Sequence, residues 1–178
     1  GTSLFVEQTP ALWEAKAYPS LKPLTSWVLD LVDRLSFMSG WVDNGTPCTY
    51  WISCYFFPQA FTTGTLQNFA RKHSFPIDEC EMQYIFVDPP KEELVHKPED
   101  GAFVYGLFCE GARWDYAKHG LVEPLPKELF SPMPCMHFLP VRNKQPPTSG
   151  HYRCPVYKVL TRSGILSTTG HSTNFVFW

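Results

Sequence analysis

The chain has 178 residues, and its 15 Lys and Arg residues nearly balance 17 Asp and Glu residues, giving a formal charge of −2. This balance argues against a nucleic-acid partner, because dedicated nucleic-acid-binding proteins carry a strongly basic face. Apolar residues make up 44% and aromatic residues 16%, so disorder is excluded over most of the length. No run of about 18 uninterrupted apolar residues is present, so no membrane partner is expected.

The first strong pattern is an amphipathic helix that begins at Leu24 and is expected to end at Gly40, a plausible carboxyl-terminal cap. Apolar residues recur at the i, i+3, i+4, i+7 spacing of one buried helix face. They are Leu24, Trp27, Val28, Leu31, Leu35 and Met38. The opposite face carries Ser26, Asp30, Asp33 and Arg34, which we expect to face solvent.

A strand and a second helix follow. Residues Thr49–Phe57 are rich in aromatic and β-branched side chains and have the length of a strand. Pro58 suits the first turn of a helix that continues to about Lys72. Gly64 weakens that helix prediction, because glycine is a poor helix former.

Short strands between turn residues dominate the rest of the sequence. The predicted strands are Met82–Val87, Ala102–Cys109, Met136–Val141, Tyr152–Leu160 and Thr173–Trp178. Together with the first strand they indicate an α+β fold, in which amino-terminal helices precede an antiparallel β-barrel, or barrel-like sandwich, of about six strands.

This pattern predicts one compact unit. Residues 1–45 form a helical lead-in segment, and residues 46–178 form the barrel domain with one inserted helix at about 58–72. The final strand runs to Trp178 without a polar stop, so we expect the chain to be a fragment of a longer polypeptide.

Residues that carry chemistry are hard to find. Gly40 and Gly45 have the glycine spacing of a nucleotide-binding loop, but Thr46 and Pro47 stand where the lysine and hydroxyl are needed. The six histidines are dispersed, and no Cys-x-x-Cys pair is present. We therefore predict no catalytic, cofactor-binding or metal-binding residue. The cysteines are expected to be reduced, as in an intracellular protein, with Cys54 and Cys109 in the core.

Two segments are unusual for a simple barrel. In the first, three glycines spaced five apart interrupt an aromatic strand, and Arg113 follows between carboxylates. Gly106 in mid-strand indicates a bulge or a close backbone approach. We expect Arg113 to form an ion pair or to stack on an aromatic ring. The residues singled out there are Gly101, Gly106, Gly111, Arg113, Trp114 and Asp115.

The second segment, Leu166–Phe175, is rich in hydroxyl side chains, which suit a turn held by hydrogen bonds from side chain to backbone. The residues singled out there are Gly170, His171, Ser172, Thr173 and Asn174.

Five stretches carry a family resemblance. They are Phe56–Phe61, Pro98–Gly101, Glu110–Asp115, Cys154–Lys158 and Ser167–Val176. In these stretches, and in their order, the sequence resembles the extreme carboxyl-terminal domain of dynein heavy chains of the axonemal group. The last stretch favours the axonemal group over the cytoplasmic one. Ala60 stands where the family usually has glycine.

The resemblance implies a non-catalytic module that packs on the family's ring of AAA+ ATPase modules and modulates ATP-driven, microtubule-based ciliary motility. The implied partners are the ring modules of the same heavy chain, and other dynein subunits are a further option that the resemblance leaves open. The implied location is the cytoplasm and the cytoskeleton of the ciliary or flagellar axoneme, with ATP and magnesium bound elsewhere in the parent polypeptide. The alternative is a free-standing enzyme, or a barrel that binds a ligand or nucleic acid.

Overall fold

A computed structural model describes residues 9–17, 20, 22–55, 57–110, 112–128 and 130–143. These residues form a mixed α+β fold. The helices are α1 (Ala11–Glu14), α2 (Leu24–Asn44) and α3 (Pro58–His73). The strands are β1 (Thr49–Trp51), β2 (Cys80–Phe86), β3 (Ala102–Tyr105), β4 (Phe108–Glu110), β5 (Arg113–Asp115), β6 (Gly120–Val122), β7 (Phe130–Pro132) and β8 (Met136–Arg142). Described residues up to Thr46 belong to one compact unit, and those from Pro47 onward belong to a second.

In the first unit, α2 starts at Leu24 as predicted but continues through Gly40. The predicted end at Gly40 is wrong, because one internal glycine costs only about 1 kcal/mol and a long helix tolerates it. The helix stops at Gly45, whose φ of 83° lies in the left-handed region that glycine adopts without strain.

The buried side of α2 matches the predicted one only in part. Trp27 is buried and stacks on Trp13 of α1, with ring centroids 5.9 Å apart. Arg34, which we expected at the surface, is also buried and lies seven residues after Trp27 on the same side of the helix. Val28, Leu35 and Met38, expected in the core, are exposed. The hydrophobic period therefore identified the helix correctly and its buried face only in part.

The second unit is built on a four-stranded sheet with the strand order β1-β3-β8-β2. β8 pairs antiparallel with both β2 and β3, whereas β1 pairs with β3 in parallel. The expectation of a purely antiparallel arrangement is thus wrong for β1. Helix α3 and strand β2 lie between β1 and β3 in the sequence, and this long connection allows the parallel pairing.

One face of this sheet supplies the core. Opposite residues of paired strands lie on the same face, which places Val104 opposite Met136 and Met82 opposite Pro140. The largest fully buried side chains are Phe138, Ile52, Met136, Val104 and Pro140. Ile52 comes from a 3-10 turn, Ile52–Cys54, that follows β1 directly. The predicted strand Thr49–Phe57 therefore ends at Trp51, because the next three residues turn into the core.

Helix α3 is close to its prediction. Pro58 occupies the first turn and the helix ends at His73, where Ser74 adopts a left-handed conformation. The helix packs against β2 and β8. Strands β2, β3 and β8 also match predicted segments, although β3 ends earlier than the predicted strand and the bounds of the other two shift by one or two residues.

Two small two-stranded sheets, β4 with β7 and β5 with β6, complete the described part of the protein. Within that part no closed barrel forms, and the predicted strands at 152–160 and 173–178 lie outside the described residues. The barrel therefore remains a prediction. None of the described helices combines the length and apolarity needed to cross a membrane.

Candidate functional site

Asp100, in the segment Pro98–Gly101, joins the end of α3 to the sheet. Lys72 donates from Nζ to Asp100 Oδ1 at 2.8 Å, and His73 Nε2 lies 3.0 Å from both carboxylate oxygens. Lys72 also donates to the carbonyl of Glu99 at 2.8 Å. His137 of β8 contacts the Asp100 carbonyl through Nε2 at 2.8 Å. We call Lys72, His73, Asp100 and His137 the Asp100 cluster.

The basic side chains of this cluster stabilise the charged form of the carboxylate. The hydrogen bond from Lys72 is the main cause that holds the pKa of Asp100 below its usual range, and His73 adds to it against the opposing effect of burial. Phe69 and Phe75 flank the His73 ring, with centroids 4.6 and 5.6 Å away. The cluster is thus a structural junction between helix, loop and sheet.

Gly101 completes this junction. Its φ is 80°, and a Cβ at this position would collide with the carbonyl oxygen of Phe138 on the central strand β8. Only glycine lets the loop lie this close to the strand in this conformation.

Gly106 provides a second close approach and divides the predicted strand Ala102–Cys109 into β3 and β4. Its φ is 82°, and a Cβ there would lie 2.5 Å from Trp51 Cδ1 and 2.9 Å from Ser53 Oγ. The prediction of a close backbone approach at Gly106 is confirmed. The Trp51 ring stacks on Tyr105 at 6.5 Å, and Lys91 Nζ lies 4.4 Å from the Tyr105 centroid. Burial raises the pKa of Tyr105 to about 12.

Arg113, Trp114 and Asp115 form β5 of a short hairpin. Asp115 Oδ1 accepts hydrogen bonds from the backbone N–H groups of Ala117 and Lys118, at 2.9 and 3.1 Å. The Lys118 contact is the main cause of the lowered pKa of Asp115. The carboxylate therefore stabilises the turn that reverses the backbone into β6.

For Arg113 the expectation of an ion pair or an aromatic stack stays a prediction. Among the described side chains, which do not include that of Glu110, Arg113 makes no ion pair, and its Nε is buried without a hydrogen-bond partner. Trp114 is buried and stacks on Phe86 at 4.2 Å with rings 30° apart, so its indole packs in the core. Asp115 is occupied by the turn and reaches Arg113 only through longer-range attraction.

The remaining predicted signature residues are Gly111, Gly170, His171, Ser172, Thr173 and Asn174, and all lie outside the described residues. No group of three metal-ligating side chains occurs in the described ranges. Cys54 is buried and Cys109 half-buried, and no disulfide joins the cysteines that the structure describes.

In the first unit, α2 exposes a row of apolar side chains to solvent. The row contains Val28, Val32, Leu35, Met38 and Val42, which are 38–84% exposed. Residues 28, 32, 35 and 42 repeat at intervals that bring them to one side of a helix. We call these five residues the α2 stripe. Single exposed apolar residues are ordinary, whereas an aligned row points to an interaction surface.

Comparison with known proteins identifies the family. Residues 1–178 match the family described as the C-terminal domain of the dynein heavy chain. The protein is 51% identical to dynein axonemal heavy chain 1 of Rattus norvegicus and of Homo sapiens, and 48% identical to dynein axonemal heavy chain 3 of Mus musculus. Each alignment covers 98% of this chain but 4% of the relative's length. The chain therefore belongs to the dynein heavy chain family as a carboxyl-terminal domain of the axonemal type.

This result confirms the resemblance found in the sequence. Since the relatives are axonemal heavy chains, the protein is assigned to the cytoskeleton of the ciliary or flagellar axoneme.

Sequence reasoning missed the Asp100 cluster. It included Asp100 only in the resemblance stretch Pro98–Gly101, and Lys72 only as the end of a helix. The available signal was the basic run Arg71–His73 in the last turn of α3, which suits the helix dipole and can also bind an acidic residue. Nothing in the local pattern indicated that an acidic residue 28 positions later would meet it.

Proposed function

We propose that this chain is a non-catalytic module that packs on the AAA+ ATPase ring of its own dynein heavy chain and modulates ATP-driven ciliary motility on microtubules. The observation that carries the proposal is the α2 stripe. A solvent-exposed apolar row is unfavourable in an isolated domain, because its surface remains in water. Covering it with another part of the same long polypeptide removes that cost.

The size of the relatives supports this choice of partner. The alignments cover only 4% of the length of the heavy chains that match. Most of the parent polypeptide is therefore available to cover the α2 stripe. An intramolecular partner also binds at high effective concentration, so a modest apolar contact is sufficient.

The test is made in the intact heavy chain. Val32→Lys together with Leu35→Lys places two charges on the α2 stripe, and we expect a changed ATPase rate and changed microtubule gliding velocity. Ser26→Lys together with Asn44→Lys is the matched control, because both residues are exposed on the same helix away from the stripe. Unchanged motor activity and unchanged protease sensitivity of the domain in the Val32/Leu35 variant would contradict the proposal.

The absence of a catalytic role is tested separately. The sequence lacks the lysine-bearing phosphate loop that nucleotide binding commonly uses, so this chain should neither bind nor hydrolyse ATP. Calorimetric titration with ATP and magnesium is expected to give no heat of binding. Saturable binding that is lost on substitution of a residue in this chain would favour a ligand-binding barrel or an enzyme.

A further inference from the structure

The carboxyl-terminal end of α3 presents an exposed serine directly after three basic residues. Arg71, Lys72 and His73 form the last turn, and Ser74 follows in the left-handed conformation with φ 56° and ψ 40°. The Phe75 N–H donates to the Ala70 carbonyl at 2.9 Å and closes the helix. Pro76 then directs the backbone into an extended exit, since the residue before proline disfavours helix.

The three basic residues differ in how they are used. Lys72 and His73 are bound to Asp100 in the Asp100 cluster. Arg71 is exposed and makes no ion pair with any residue in the described part of the protein. Arg71 and Ser74 line the same open cleft of about 360 Å³, which also contains Phe75 and Ile77. An uncommitted guanidinium and an exposed hydroxyl therefore share one surface.

We propose that Ser74 is a phosphorylation site for a serine/threonine kinase that selects basic residues on the amino-terminal side of its target. In the reaction, the Ser74 hydroxyl attacks the γ-phosphorus of ATP, and the bond between that phosphorus and the β-phosphate oxygen breaks. The hydroxyl proton passes to the kinase's catalytic carboxylate, and ADP leaves. The products are phosphoserine at position 74 and ADP.

The local backbone makes this serine accessible to such an enzyme. A kinase needs its target segment in an open conformation, and the left-handed region is unfavourable for most residues other than glycine. Moving Ser74 out of this conformation relieves that strain, and both Arg71 and Ser74 are already exposed in the folded protein. Only the backbone at Ser74 has to change, so the bonds of Lys72 and His73 to Asp100 can stay in place.

The phosphate would also find a partner after transfer. A phosphoserine carries a charge of about −1.5 to −2 at neutral pH, which is unfavourable at the negative end of a helix dipole. Arg71, three residues earlier, is within reach and can bind two phosphate oxygens at once. We infer that Arg71 serves twice, first in recognition by the kinase and then in holding the phosphate.

The experiment treats the folded 178-residue chain with ATP, magnesium and the catalytic subunit of a kinase that prefers basic substrates. Site-resolved mass spectrometry is expected to place phosphate on Ser74, and Ser74→Ala is expected to lose it. Arg71→Ala should slow the modification of Ser74 by about tenfold or more. Lys118→Ala, which removes an exposed cation on the β5–β6 turn, should leave the rate unchanged.

A second measurement follows the phosphate itself. Phosphorus NMR titration should give a lower second pKa for phosphoserine 74 in the unaltered protein than in Arg71→Ala, because the guanidinium favours the dianion. Modification of Ser74 only after the protein has been unfolded, or at the same rate with and without Arg71, would overturn the proposal.

Discussion

At the scale of single residues, Gly101 is the position where backbone conformation matters most. Its positive φ and the adjacent Phe138 carbonyl leave no room for a side chain. Gly101→Ala should therefore lower the free energy of unfolding by about 3 kcal/mol or more. Urea denaturation followed by circular dichroism measures this change.

Gly64 supplies the control. It lies inside α3, and a Cβ added there would meet nothing within 4 Å. Gly64→Ala should be neutral or raise the free energy of unfolding by about 0.5–1 kcal/mol. Equal effects of the two substitutions would show that the loop at Gly101 can move away from β8.

The lowered pKa of Asp100 predicts how the free energy of unfolding depends on pH. Its pKa is lowered in the folded state, chiefly by the hydrogen bond from Lys72. A group with a depressed folded pKa contributes stability above its unfolded value, about 3.9, and loses it as pH falls through the folded pKa. The urea midpoint of the unaltered protein should therefore fall on acidification below about pH 4.

Asp100→Asn isolates this contribution. The variant should be less stable than the unaltered protein at neutral pH, and the difference should shrink at the acidic end of that window. Asp78→Asn is the control, because Asp78 is exposed and makes no ion pair in the described ranges. A stability difference for Asp100→Asn that stays constant with pH would contradict the role given to the carboxylate.

At the scale of elements, α2 shows what hydrophobic spacing can and cannot establish. The spacing from Leu24 onward predicted a helix, and a helix begins there. The spacing could not show which side is buried. Trp27 and Val28 lie at the two edges of a wide apolar surface on the helix, and only the edge with Trp27 packs against other residues. Arg34 is buried through a specific partner, Asp30, which no periodicity reveals.

Asp30 is therefore the residue of α2 on which we expect stability to depend. It accepts hydrogen bonds from Arg34 Nε and from Lys22 Nζ, each at 2.7 Å, and its side chain is 10% exposed. Asp30→Ala leaves the buried Arg34 without this counter-charge, so we expect a loss of about 3 kcal/mol. Thermal and urea unfolding both report the change.

Asp33→Ala is the matched substitution on the same helix, where the side chain is exposed. It should change stability by less than about 0.5 kcal/mol. A similar cost for both aspartates would mean that the helix depends on its overall charge and not on the buried pair.

At the scale of the whole molecule, the sequence was most informative about local structure. A hydrophobic period is visible in the longer elements, which are helices α2 and α3 and strands β2 and β8. Strands β5, β6 and β7 span three residues each, so no hydrophobic period is visible in them. The signal for the β5–β6 hairpin was Asp115, a residue type that binds backbone N–H groups in turns.

Pairing between distant segments was not predictable in the same way. The parallel contact of β1 with β3 and the meeting of Lys72 with Asp100 depend on the folded arrangement of the second unit. Gly106 is the exception, because a glycine inside an aromatic strand signals a close approach even when its neighbour is unknown. The neighbour, Trp51, was visible only in the structure.

The α2 stripe predicts the behaviour of the isolated protein in solution. With no partner present, its apolar surface should promote association that strengthens with protein concentration. Val32→Lys together with Leu35→Lys should reduce this association, whereas Ser26→Lys together with Asn44→Lys should do so much less. Sedimentation velocity across a concentration series measures this association. Equal effects of the two double substitutions would exclude the α2 stripe as its cause.

The central position of β8 has a consequence for biosynthesis. β2 and β3 both pair with β8, which follows them in the sequence. β2 ends at Phe86 and β8 at Arg142, so at about 5–20 residues per second a ribosome needs roughly 3–11 s to supply the missing partner. During that interval β2 lacks its β8 partner and its backbone is open to wrong pairing. Nascent polypeptides should therefore depend on holding chaperones until Arg142 has left the exit tunnel.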